Sequence, residues 1–132
     1  MAKFSRRRTS STPLDGVDAV LADLDGVVYA GAGALPWAVE SLSALGERRL
    51  GFITNNASRT DEAVAEHLRE LGLATQASDV VTSPQAATRL LRTRVEPGAT
   101  ILVVGGEGLV VELENAGYAV TRSAEDSPAA VV

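Results

Sequence analysis

The sequence predicts an α/β fold, a parallel sheet with helices on its faces. Two observations carry that prediction. From Val17 onward, short apolar runs of strand length alternate with amphipathic stretches of helix length, with turn residues between them; at this spacing the alternation means strand–helix–strand units. Composition agrees. The 132 residues are 45% hydrophobic but only 4% aromatic, so the core is built from Ala, Val and Leu, which suits helices packed on a sheet. The chain is long enough to bury such a core.

Taken in order, Ala-Val-Leu-Ala-Asp-Leu-Asp (19–25) reads as a buried strand ending in acids. Residues 26–36 form a Gly-rich loop or small flap. Pro36 is placed to open a helix running to about Leu45, with Val39, Leu42 and Leu45 on one side. Residues 50–56 are a second strand with a polar end. Thr60 is the expected N-cap of the next helix, and Asp61 and Glu62 in its first turn favour the helix dipole. Val64, Leu68 and Leu71 line its inner face, and Gly72 stands where a C′ glycine belongs. Residues 79–83 are a short strand or link. Ser83-Pro84 is expected to cap a helix reaching about Arg94. Residues 100–106 form an apolar strand, followed by a helix from about Glu107 to Ala116 that stops at Gly117. Short strands follow at 118–121 and 128–132.

Charge is uneven along the chain. Lys3, Arg6, Arg7 and Arg8 give the first thirteen residues a charge of +4; with 12 basic and 17 acidic residues overall, the rest carries −9. Residues 1–13 are expected to be a disordered basic leader. The acidic body excludes nucleic acid as a partner, since phosphate neutralisation needs a basic surface. No run approaches 18 apolar residues, so no membrane helix is expected. No apolar segment follows the arginines as an export signal would require, and a cytoplasmic location is the expectation. With no Cys and one His, disulfides, thiolate chemistry and a multi-histidine metal centre are excluded within the chain.

Ligands in open α/β sheets bind beyond the carboxyl ends of the strands. Two such ends carry polar text, Asp23-Leu24-Asp25-Gly26 and Thr54-Asn55-Asn56. The period of two in extended backbone puts Asp23 and Asp25 on one side. Carboxylates this close repel each other unless a cation lies beside them, and an all-oxygen site suits Mg²⁺. Gly26 lets the backbone turn and approach a ligand closely. The acids could act as nucleophile and general acid–base toward a phosphoryl group, or hold a metal-bound sugar nucleotide, or simply make an Asp-Gly turn. Thr54 and the amides beside it form an anion cradle. One intervening helix would bring both strand ends to the same sheet edge.

These residues carry a resemblance. Leu-Ala-Asp-Leu-Asp-Gly-Val-Val-Tyr-Ala-Gly (21–31) is similar to the first motif of the haloacid-dehalogenase-superfamily phosphatases. Residues 52–60, 63–73 and 79–87 resemble the subfamily of 4-nitrophenylphosphatases, NagD-like phosphatases and phosphoglycolate or glycerol-3-phosphate phosphatases. The likeness runs from about Ala19 to Val132. It implies a Rossmann-like parallel-sheet core, incomplete here and occupying 14–83, with the beginning of an α/β cap domain at 84–132. It implies hydrolysis of small phosphate monoesters with Mg²⁺ as cofactor. Asp23 would attack phosphorus, Asp25 would protonate the leaving oxygen and then activate water, and Thr54 and the Asn55 amide would hold the phosphate. Mg²⁺ would lie between the Asp23 carboxylate and the Asp25 carbonyl. The family's phosphate-steadying lysine has no counterpart after Lys3, the only lysine, and its second acidic motif does not appear before Val132. The 132-residue chain is therefore expected to be the N-terminal portion of a longer enzyme, with little activity alone. The alternative is a non-catalytic module that binds phosphate or metal. A nucleotide-sugar transferase ranks last, since no sugar-nucleotide pocket is apparent.

Gly105-Gly106-Glu107-Gly108 lacks the third glycine of a dinucleotide fingerprint, Val111 standing in its place, and reads as a tight strand-to-helix turn. His67, beside Glu66 and Glu70, is expected to be solvated. Trp37 is expected to pack, and Arg59 to be a surface residue. An uncovered sheet edge would promote self-association, so a homo-oligomer is a further expectation.

Overall fold

A computed structural model describes residues 12–132. The expected leader, residues 1–13, lies outside the described residues except for Thr12 and Pro13, where the Thr12 hydroxyl and amide both donate to the Asp15 carboxylate at 2.9 Å.

The described residues form two parallel three-stranded sheets, a small two-stranded one and four α-helices. In the first sheet, β1 (Ala19–Asp23) lies beside β4 (Arg49–Thr54), which lies beside β5 (Val80–Thr82), all parallel. The second sheet has the order β7 (Ala119–Thr121), β6 (Thr100–Leu102), β8 (Ala130–Val131), again parallel. The flap of residues 26–36 contains a small antiparallel hairpin, β2 (Tyr29–Ala30) with β3 (Gly33–Ala34).

Helix α2 (Asp61–Glu70) covers one face of the first sheet. It begins as its sequence requires: Thr60 is the N-cap, and its hydroxyl accepts from the Ala63 amide at 3.2 Å. It ends at Gly72, whose φ of +101° favours glycine. Val64, Ala65 and Leu68 bury themselves against Phe52, Leu24 and Val80, with α1 (Ala38–Ser43) adding Val39 and Leu42 at the margin. Each fully buried Leu or Phe contributes about 1.5–3 kcal/mol over its exposed state. The opposite face is open among the described residues. Leu21 is 70% exposed, Ile53 43% and Val81 40%, although parallel sheets are ordinarily covered on both faces.

A separate apolar cluster lies around the second sheet. Ile101 and Val103 pack with Leu91 of α3 (Ser83–Leu91), with Leu109 and Leu113 of α4 (Glu107–Asn115), and with Tyr118. Three local expectations change. Helix α3 is capped by Thr82, not Ser83: Thr82 accepts from the Gln85 amide while the Gln85 side chain accepts from the Thr82 amide, a reciprocal box that moves the start back one residue. Trp37, expected to pack, is 79% exposed, because its φ of +67° at the start of α1 turns the ring away from the core. His67, expected to be solvated, is largely covered. The flap brings Tyr29 edge-on over its ring, centroids 4.9 Å apart, and its Nε2 is buried without a hydrogen-bond partner among the described residues.

Candidate active site

The first sheet ends on one edge with Asp23, Thr54 and Thr82, the last residues of β1, β4 and β5. Register makes them neighbours: Asp23 pairs with Ile53, and Thr54 with Thr82. A pocket of about 410 Å³ opens there, lined by Asp23, Ile53, Thr54, Asn55, Val81, Thr82, Ser83 and Ala86. A hollow of similar size over the amino-terminal part of the same sheet holds no comparable set of strand-end polar groups.

Asp23 and Asp25 are both exposed, and Leu24 between them is fully buried in the core. One Asp23 oxygen accepts from the Leu24 amide at 2.8 Å, which fixes the carboxylate and leaves its second oxygen unengaged. Asp25 is not on the pocket wall; it lies where the chain turns into the flap and bridges to Tyr29. Gly26 has φ +80°, so glycine is needed for that turn. Its own amide donates to the Tyr29 carbonyl at 2.8 Å. Gly26, expected to approach a ligand, is not on the pocket wall, and its N–H is spent within the flap.

Thr54 is 7% exposed, and its hydroxyl oxygen accepts from the Asn56 amide at 3.1 Å. An accepting hydroxyl keeps its own proton to donate. The Asn56 side chain in turn accepts from the Ser58 amide at 2.9 Å. Asn55 lines the pocket, and its carbonyl accepts from the Ser83 hydroxyl at 2.9 Å. Ser83 therefore ties the start of α3 to the cradle, a role the sequence reading missed. The strand-end rule that picks out Asp23 and Thr54 applies equally to Thr82-Ser83, but reading those residues as a helix cap hid it.

The charges of Asp25 and Asp23 reach Tyr29. Burial pushes the Tyr29 phenol above its usual value, and these two carboxylates push it the same way, against an opposing pull from Arg59. Arg59 is exposed, as expected, but is thereby close enough to share the electrostatics of this end of the sheet. Among the described residues, no group of three or more acidic or histidine side chains stands ready for a metal ion. No helix among them is long and apolar enough to cross a membrane.

Known proteins match this arrangement. The family of haloacid dehalogenase-like hydrolases matches residues 20–119. The D-glycerol 3-phosphate phosphatase of Mycobacterium tuberculosis is 48% identical over 115 residues, covering 87% of this chain and 32% of that protein. The human glycerol-3-phosphate phosphatase is 42% identical over 126 residues, covering 89% of this chain and 39% of that protein. The chain thus spans about a third of the length of the curated relatives it matches. Among solved structures, the M. tuberculosis glycerol phosphate phosphatase in complex with magnesium superposes with a TM-score of 0.78 at 46% identity, over 86% of this chain and 35% of that one. NagD from E. coli K-12 superposes at 0.71 with 32% identity, over 86% of this chain and 44% of that one. With its family matched over most of its length and its parallel sheets shared with these neighbours, the chain belongs to the haloacid dehalogenase-like hydrolases.

Proposed function

We propose that the protein is a Mg²⁺-dependent phosphatase of small phosphate monoesters, with glycerol 3-phosphate as the first substrate to test, and that this chain supplies its nucleophile and phosphate cradle. The observation that carries the reading is the shared pocket wall of Asp23 and Thr54 at the carboxyl edge of a parallel sheet. The 48% identity to a D-glycerol 3-phosphate phosphatase supports the substrate class. In this reading, residues 14–83 are the first part of the catalytic core and 84–132 the beginning of a cap.

The chemistry follows from the residues. The unengaged Asp23 oxygen attacks phosphorus as the bond to the leaving oxygen breaks, giving an aspartyl-phosphate and an alkoxide that takes a proton from Asp25. Asp25, now a carboxylate, removes a proton from water as that water attacks the phosphorus. Inorganic phosphate leaves, and both aspartates return to their starting state. The Thr54 hydroxyl and the Asn55 amide hold the phosphate oxygens, and positioning supplies much of the rate. The donors fit Mg²⁺ in kind: the Asp23 carboxylate and the Asp25 carbonyl are hard oxygen ligands two residues apart, at the end of β1 and the turn into the flap. The Asp23 carboxylate and Asp25 carbonyl would hold the ion, which when bound neutralises phosphate charge.

The test is phosphate release from glycerol 3-phosphate and 4-nitrophenyl phosphate, with and without Mg²⁺, beside Asp23→Asn. Release that needs both the ion and Asp23 is expected. Release undiminished in Asp23→Asn would overturn the proposal.

A further inference from the structure

Two glycines at the start of α4 are not explained by their backbone conformation. Gly106 is ordinary extended chain (φ −82°, ψ −178°), and Gly108 lies in the helix without a positive φ. Glycine is a poor helix former, so at Gly108 it serves some other need. That need is room for one neighbour, the loop that follows the cradle. A Cβ on Gly106 would fall 2.7 Å from the Ser58 Cα and 3.1 Å from the Ala57 carbonyl oxygen. A Cβ on Gly108 would overlap the Arg59 carbonyl oxygen and lie 2.7 Å from its carbon. These are backbone atoms, which no rotamer change can move aside. Gly105 differs: a Cβ there would meet only the Leu109 side chain, at 3.0 Å.

The same contact continues as hydrogen bonds. Helix α4 has no side-chain N-cap; instead the Gly108 amide donates to the Ser58 carbonyl, a long bond of 3.4 Å. The Ser58 amide donates to the Asn56 side-chain oxygen at 2.9 Å, and the Asn56 amide donates to the Thr54 hydroxyl oxygen at 3.1 Å. A relay of three hydrogen bonds thus joins the start of α4, in the second sheet's unit, to the hydroxyl of Thr54, a residue of the pocket wall of the first.

Resting on the phosphate-site reading above, we infer that Gly108 is a positioning residue for the cradle. By admitting the 57–59 loop against α4, it sets through Ser58 and Asn56 the direction in which the Thr54 hydroxyl donates. Nothing in this role requires Gly108 to touch substrate.

The experiment compares Gly108→Ala with Gly105→Ala, a control in the same turn that leaves the loop alone, and with Asn56→Ala, which cuts the relay without touching α4. The readouts are the amide ¹H–¹⁵N resonances of residues 54–58, the affinity for inorganic phosphate with Mg²⁺, and thermal melting. Gly108→Ala is expected to shift the Thr54 and Asn56 amides and weaken phosphate binding about 10-fold, the scale of one hydrogen bond to a charged group. Gly105→Ala is expected to do neither. In the Asn56→Ala background, Gly108→Ala is expected to cost no further affinity, as coupled residues require. Equal phosphate affinity in Gly108→Ala and Gly105→Ala, or losses that multiply in the double variant, would overturn the inference. Should Gly108→Ala fail to fold, Asn56→Ala alone decides: a folded variant that binds phosphate like wild type overturns the relay. If the wild-type protein binds no phosphate, the phosphatase reading has failed and the amide shifts judge the coupling: shifts at residues 54 and 56 in Gly108→Ala alone uphold it, and their absence refutes it.

Discussion

Single residues set both the chemistry and the strain of this molecule. Thr54 is a buried hydroxyl that accepts from the Asn56 amide and so keeps its own proton to donate, which the proposed mechanism directs to phosphate. Thr54→Val removes donor and acceptor together and is expected to weaken phosphate binding at least about 10-fold, whereas Thr54→Ser retains most of it; calorimetric titration separates the two. Tyr29 makes the alkaline limb of stability. Its phenol is held protonated by burial first and by Asp25 and Asp23 after it, so its folded value lies above the unfolded 10.0. A raised value contributes stability below pH 10 that is lost as pH climbs through the folded value. Wild type is therefore expected to lose stability at that alkaline end, and Tyr29→Phe to flatten the loss in urea titrations across pH. Trp37 carries strain of another kind, a bulky residue at φ +67° with its ring in water. Trp37→Gly relieves it, offset by the greater backbone entropy of glycine, and is expected to raise stability by up to about 1 kcal/mol in unfolding followed by circular dichroism.

Elements were legible in the sequence wherever local rules act unopposed. The N-cap Thr60, the acidic first turn, the buried Val64 and Leu68 and the stop at Gly72 were all readable, because each depends on neighbours within a few residues. Thr60→Ala is expected to cost about 1 kcal/mol and Leu68→Ala about 2–5 kcal/mol, measured by denaturant unfolding of the protein. The strand ends carrying Asp23 and Thr54 were readable for the same reason. What escaped depended on contacts across the chain. His67 has a polar sequence context, and only the return of the flap, which brings Tyr29 onto it, covers its ring. Ser83 reads as a cap until β5 is seen beside β4, which brings its hydroxyl to the Asn55 carbonyl. Gly106 and Gly108 read as a turn, and nothing local in the sequence says that residues 57–59 come against them.

At the scale of the whole molecule, two parallel sheets with separate apolar clusters are joined through α3 and through the seat of the 57–59 loop on α4. Among the described residues, the open face of the first sheet leaves Leu21, Ile53 and Val81 exposed. Apolar area of this kind lowers solubility. Leu21→Lys, whose stem can still lie over Gly51, is expected to reduce concentration-dependent light scattering by the 132-residue chain without loss of secondary structure. The catalytic account, by contrast, depends on one oxygen atom of one side chain at the edge of that sheet. Its most direct test is to quench the protein in acid during turnover of 4-nitrophenyl phosphate with Mg²⁺, reduce it with borohydride, and map the modified residue by mass spectrometry. The account predicts modification at Asp23 and at no other carboxylate; turnover with Asp23 unmodified, or with the phosphoryl group on another residue, would contradict it.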